Sequence, residues 1–219
     1  MFHICFNENN FFFPSVEEAD EEGLLVIGGK VTPERVIGAY RKGIFPWYNE
    51  EGLPLWWSPD PRFVLFPQEL HISRSMQKII SRQTFEFRTD TDFEGVIHQC
   101  GTVPREGQDG TWITSGIKDV YTQLYHQGYA HSAEAWKEGE LVGGMYGIQL
   151  GKVFFGESMF SKVSNASKFA FIKFVQQLKE SEVELIDCQV YTKHVESLGA
   201  RLISRDNYLA LLKNHVQTG

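Results

Sequence analysis

Two short stretches carry residues that could do chemistry. One is Gly156-Glu157-Ser158-Met159-Phe160-Ser161, the other Ile186-Asp187-Cys188-Gln189. Both set polar residues at the ends of apolar runs. Val183, Leu185 and Val190 give the second a buried strand. Side chains alternate faces along a strand, so Asp187 and Gln189 are expected on one face and Cys188 on the other. A carboxylate beside a carboxamide in an apolar strand needs partners, because unpaired buried polar groups are costly. Either the pair satisfies loop amides, or it handles a proton and an amine.

These residues must be positioned by the elements around them. Leu24-Leu25-Val26-Ile27 reads as a strand before Gly28-Gly29. Thr32 is a good N-cap and Pro33 a good first helical residue; Val36, Ala39 and Tyr40 give that helix its apolar face, and Gly43 stops it. Between Phe45 and Arg62 lie three of the five tryptophans and four of the eight prolines. The pattern predicts a stiff loop presenting flat rings, either as a plug between domains or as a stacking platform for a base. Phe63-Val64-Leu65-Phe66 is a further strand. Ser73 caps a helix to Arg82, on which Arg74, Lys78 and Arg82 recur every four residues along one face. Such a row is either a solvated face or a phosphate-contacting one.

Residues 103–110 read as a loop, mobile in character, followed by Trp112. A helix from Thr114 to Gln127 carries Ile117, Val120, Tyr121 and Leu124 as its core stripe. Three strands of a meander follow, near 129–136, 141–149 and 152–155. Gly143, Gly144 and Gly147 mark a bulge or a close approach of backbone to a ligand. Asn165 opens a helix with Phe171, Phe174, Val175 and Leu178 inward. The strand at 183–190, a helix near 191–198, a strand at 201–203 and a helix capped by Ser204 complete the chain. The order from 129 onward is βββ–α–β–α–β–α, an α/β class with a mixed sheet.

The net charge of −7 argues against bulk nucleic-acid binding, so any RNA contact needs a local basic patch. Cys5, Cys100 and Cys188 are odd in number and lack metal spacing, which suits a reduced, cytoplasmic protein. No signal peptide, membrane span or membrane partner is expected.

Several blocks together resemble the leucyl/phenylalanyl-tRNA–protein transferase family. They are Gly43-Ile44-Phe45-Pro46-Trp47, Trp56-Trp57-Ser58-Pro59-Asp60-Pro61-Arg62 and His71-Ile72-Ser73-Arg74-Ser75-Met76. Thr111-Trp112-Ile113, Ala130-His131-Ser132 and Leu141-Val142-Gly143-Gly144-Met145-Tyr146-Gly147 follow. The two stretches named first, Asn165-Ala166-Ser167-Lys168 and Ser197-Leu198-Gly199-Ala200 complete the set.

The resemblance implies a small N-terminal domain over residues 1–62 and an N-acetyltransferase-like catalytic domain over 63–219. It implies transfer of leucine or phenylalanine, methionine more weakly, from aminoacyl-tRNA to the α-amine of proteins beginning with Arg or Lys. The product would be marked for N-degron degradation. Asp187 and Gln189 resemble the family's proton-relay pair. Asp187 would polarise Gln189, whose carbonyl oxygen draws the proton, or Asp187 would itself be the base. Glu157 would orient the acceptor's amine or basic side chain. Trp47 and Trp112 would flank the terminal adenosine, and Met145, Met159, Phe174 and Ile186 would surround the amino-acid side chain. Arg74, Lys78 and Arg82 stand as the tRNA-binding row. The ester is already activated, so no metal or cofactor is expected, and a monomer is expected. The rival readings are another acyltransferase of similar fold and a non-catalytic binder of tRNA or of N-termini. An acetyl-CoA enzyme would need a pyrophosphate loop before Asn165, and residues 156–168 contain no such run.

Overall fold

The computed structural model describes residues 3–5, 12–47, 52–102 and 113–216. The expected loop at 103–110, Trp112 and most of residues 1–11 lie outside the described residues.

A small sheet holds β1 (His3–Cys5), β2 (Leu24–Gly28), β3 (Phe45–Pro46) and β4 (Leu55–Trp57), in the order β1-β2-β4-β3. Helix α1 (Pro33–Tyr40) joins β2 to β3, and the Thr32 hydroxyl accepts from the Arg35 N–H at 3.2 Å. The expected aromatic loop is instead partly paired: Phe45 lies opposite Trp57, and Pro46 opposite Trp56. Pro46 is tolerated because β3 is an edge strand. Trp56 is buried in the core and donates to the Gly28 carbonyl at 3.1 Å, so it is a plug; Trp47 is only half-buried.

The rest of the chain begins with β5 (Arg62–Leu65), α2 (Arg74–Ser81), β6 (Glu86–Thr89), α3 (Phe93–Thr102) and α4 (Ser115–His126). The meander is β7 (Ala130–Lys137), β8 (Glu140–Leu150) and β9 (Val153–Ser161). Then come α5 (Ala166–Glu180), β10 (Leu185–Gln189), α6 (Lys193–Glu196), β11 (Arg201–Ile203) and α7 (Arg205–His215). Seven strands form a mixed sheet, β11-β5-β10-β9-β8-β7-β6, in which β9 and β10 are parallel and the other pairs antiparallel. Alternation sorts its two faces. Val64, Val153, Phe155 and Leu185 share one core with residues of α1, α3, α4 and the small sheet; Leu65, Phe154 and Ile186 share the other with α5.

Two irregularities lie side by side where the parallel pairing ends. That pairing runs from Leu185 opposite Val153 to Asp187 opposite Phe155. In β9, Ser158 pairs with Tyr146 and Gly156 with Gly147, so Glu157 is an extra, bulged residue. In β10, Asp187 pairs with Val64 and Gln189 with Phe63, so Cys188 is extra, and Gln189 takes φ 63°. Bulges twist a strand and re-aim its side chains. Beyond Phe155 and Asp187 the strand ends are unpaired with one another, and a pocket opens there. The glycines of β8 approach protein, not ligand. A Cβ on Gly143 would lie 2.5 Å from the Ala166 Cβ, and one on Gly147 would lie 2.2 Å from the Phe155 carbonyl oxygen.

Candidate active site

The pocket has a volume of about 560 Å³, within the usual range for small-ligand sites. Its apolar wall is built by Met145, Met159, Phe160, Phe171 and Ile186. Phe45, Pro46 and Trp47 from the small sheet close one side, and Glu157, Cys188 and Gln189 supply polar atoms. The expected residues Trp47, Met145, Met159, Ile186, Glu157 and Gln189 therefore come together. Phe174 does not join them: it is buried and sets its ring edge-on against Phe154, with centroids 4.9 Å apart. Phe171, one helical turn earlier, lines the pocket instead. Trp112 lies outside the described residues.

The strand parity expected at 187–189 fails because of the bulge. Cys188 and Gln189 both reach the pocket, and Asp187 sits behind its wall, fully buried. Both carboxylate oxygens of Asp187 are engaged. Arg62 Nε donates to Oδ1 at 2.9 Å and Nη2 to Oδ2 at 2.7 Å. The Tyr208 hydroxyl donates to Oδ2 at 2.6 Å, and the Gln189 backbone N–H to Oδ1 at 2.9 Å. Arg62 is itself buried between the rings of Phe45 and Tyr208 and donates to the Gly43 carbonyl at 3.2 Å. Burial opposes its charge most strongly, but Asp187, Tyr208 and Tyr40 together outweigh that and raise the Arg62 pKa. The carboxylate thus contacts Gln189 through the main chain, while the Gln189 amide Nε2 donates to the Tyr40 hydroxyl at 3.4 Å.

Glu157 differs from Asp187 in exposure and, among the described residues, in having no cation among its hydrogen-bond partners. It is half-buried and borders the pocket, and Tyr40 donates to its carboxylate. The Tyr40 and Tyr121 hydroxyls lie 3.3 Å apart. Burial pushes the Glu157 carboxyl up to about 8, and the charge of Asp187 adds to this; hydrogen bonds from Tyr40, Tyr121 and Gln189 act in the other direction. Burial also raises Tyr40 and Cys188, so both stay protonated near neutral pH.

Arg74, Lys78 and Arg82 are exposed: Arg74 opens α2, Lys78 lies within it and Arg82 is its C-cap, and none of them lines the pocket. Among the described residues no three His, Cys, Asp or Glu side chains converge as a metal site, and no helix is long and apolar enough to cross a membrane.

Sequence reasoning missed the roles of Arg62 and Tyr208, and read Tyr40, Tyr121 and Phe171 only as helix core. The signal for Tyr40 was its place at the last turn of an apolar face beside Gly43. Arg62 closes the motif Trp56–Arg62, but its partner Asp187 lies far along the chain.

The family described as leucyl/phenylalanyl-tRNA protein transferase matches residues 64–213, and its N-terminal domain matches residues 29–60. A leucyl/phenylalanyl-tRNA–protein transferase of Flavobacterium johnsoniae is 54% identical over 205 residues, covering 94% of this chain and 97% of that protein. That of Christiangramia forsetii is 56% identical over 202 residues, covering 91% and 95%. That of Pseudomonas fluorescens is 52% identical over 210 residues, covering 95% and 92%. The solved structure of L-PGS from Bacillus licheniformis aligns with a TM-score of 0.42 at 15% identity, over 79% of this chain and 57% of that one.

Proposed function

Since this chain belongs to the leucyl/phenylalanyl-tRNA–protein transferase family, we propose that it carries leucine or phenylalanine, methionine less well, from charged tRNA to protein α-amines. The acceptors are proteins that begin with Arg or Lys, the modified proteins enter N-degron degradation, and the reaction takes place in the cytoplasm. Residues 1–62 form the smaller domain and 63–219 the catalytic one. One observation carries this reading. An apolar pocket lined by two adaptable thioethers, Met145 and Met159, meets a titratable carboxylate, Glu157, at the splayed ends of β9 and β10.

The chemistry follows from those positions. The acceptor nitrogen attacks the ester carbon, a C–N bond forms, and the C–O bond to the tRNA ribose breaks. The nitrogen loses a proton and the ribose oxygen gains one. Glu157 is assigned as the proton acceptor. A carboxyl pushed up to about 8 lies close to a free α-amine at roughly 7.7–8.0, so exchange between them is nearly balanced. Gln189 orients the amine beside it. Asp187 is a positioning residue: its oxygens are taken by Arg62, Tyr208 and the Gln189 backbone, so it fixes the bulge rather than takes the proton. Trp47 supports the adenosine ring, as does Trp112, and Arg74, Lys78 and Arg82 contact phosphates.

The test supplies labelled Phe-tRNA, Leu-tRNA or Met-tRNA and peptides beginning with Arg, Lys or Glu. Amide product on the Arg and Lys peptides is expected. Binding of charged tRNA without turnover would favour the non-catalytic alternative.

A further inference from the structure

Gly156 is the first residue of β9 past its parallel pairing with β10, and it forms part of the pocket wall. Three glycines of the neighbouring strand are demanded by packing. An added Cβ would lie 2.5 Å from the Ala166 Cβ at Gly143, 2.8 Å from the Ala133 carbonyl oxygen at Gly144, and 2.2 Å from the Phe155 carbonyl oxygen at Gly147. Those contacts are shorter than real Cβ atoms make, and two of the three obstacles are main-chain oxygens.

Gly156 is a different case. A Cβ there would lie 3.6 Å from the Asp187 carbonyl oxygen and 3.9 Å from the Met145 Cε, ordinary van der Waals distances. Gly156 is not among the glycines of positive φ. Neither backbone conformation nor protein packing therefore calls for glycine. A side chain there would meet the Met145 thioether at the apolar wall.

We propose that Gly156 is a specificity-determining residue, whose missing side chain leaves the room that the bulky side chain of the transferred amino acid occupies beside Met145. This rests on the transfer reaction proposed above. The guest is a large γ-branched or aromatic residue, and the limit on its size is set jointly by Gly156 and Met145.

The experiment compares Gly156→Ala with the unsubstituted chain, using Phe-tRNA, Leu-tRNA and Met-tRNA with an Arg-initiated peptide, together with thermal unfolding. One added carbon in an apolar site changes discrimination by about 10–200-fold. Transfer of phenylalanine should fall by that order, and transfer of unbranched methionine by clearly less. The unfolding midpoint should stay unchanged or rise by a few degrees, as for glycine-to-alanine changes at compatible positions. Adding Met145→Ala to Gly156→Ala should return part of the lost phenylalanine transfer. Equal effects on all three donors, or none, would overturn the proposal while leaving the reaction standing. A large fall in the unfolding midpoint would also overturn it, because the fold would then require the glycine. Absence of amide from any donor with the unsubstituted chain would remove the functional reading itself, and the inference with it.

Discussion

Arg62 and Asp187 meet through two parallel hydrogen bonds of 2.9 and 2.7 Å, with neither side chain accessible to solvent. Breaking a buried pair by removing one partner costs about 3–5 kcal/mol, because the other charge is left behind. Asp187→Ala should therefore lose stability of that order along with activity. Arg62→Met with Asp187→Leu should be closer to the original stability than either single change. Denaturant midpoints check this. A single Asp187→Ala as stable as the starting chain would show that the pair contributes little.

Glu157 makes stability fall as pH rises. Its carboxyl is raised from an ordinary 4.5 to about 8, mainly by burial. The folded state therefore holds a proton that the unfolded state releases. The contribution is complete below the unfolded value, and is lost as pH climbs through the folded one. Glu157→Gln should flatten the decline between about pH 4.5 and 8, seen as a smaller drop of the thermal midpoint across that window. An unchanged pH slope in the variant would mean that Glu157 titrates normally.

Trp47 should matter to the nucleoside end of the donor. Base–aromatic stacking contributes roughly 1–3 kcal/mol, so Trp47→Ala should weaken an aminoacyl-adenosine analogue by roughly 5–150-fold. Trp57 donates its indole N–H to the Trp47 carbonyl at 2.7 Å. Trp57→Phe, which removes that anchor, should give a smaller loss of the same kind. Calorimetric titration reads both, and equal affinity in all three proteins would return Trp47 to a purely structural role.

The tRNA contact should be weakly salt-dependent. The protein carries a net charge of −7, and the row Arg74, Lys78 and Arg82 offers few phosphate partners. Each contact with a single strand contributes about −0.7 to the logarithmic salt slope. Replacing all three by alanine should weaken full-length charged tRNA and leave the aminoacyl-adenosine analogue unaffected. Equal loss for both ligands would point to a damaged fold, and no loss for either would place the tRNA elsewhere.

Local signals in the sequence were strong where one side chain decides one bond. Thr32, Ser73 and Ser204 each cap the helix expected of them, and Thr114, expected as the start of a helix, is its N-cap. The meander was legible from its alternation, but β9 runs on to Ser161 because a bulge carries it past Gly156. β6 and α3 were overlooked, although Phe93, Val96, Ile97 and Cys100 are spaced as a helical face and are buried. The pocket residues were legible from motif blocks. What holds them was not, because Arg62 with Asp187 and Tyr40 with Glu157 are long-range pairs that no local period encodes. The bulges at Glu157 and Cys188 upset the two-residue alternation on which the Asp187–Gln189 reading stood.

The central claim is that Glu157 takes the proton of the attacking amine. Single-turnover formation of amide from Phe-tRNA and an Arg-initiated peptide, followed across the pH range on either side of 8, tests it most directly. The unsubstituted chain should speed up with rising pH and level off near the Glu157 value. Glu157→Gln should be slower by ~10²–10⁴-fold and keep only the titration of the acceptor amine, so that its rate climbs less steeply with pH. A Glu157→Gln protein with the same rate and the same pH profile would contradict the account.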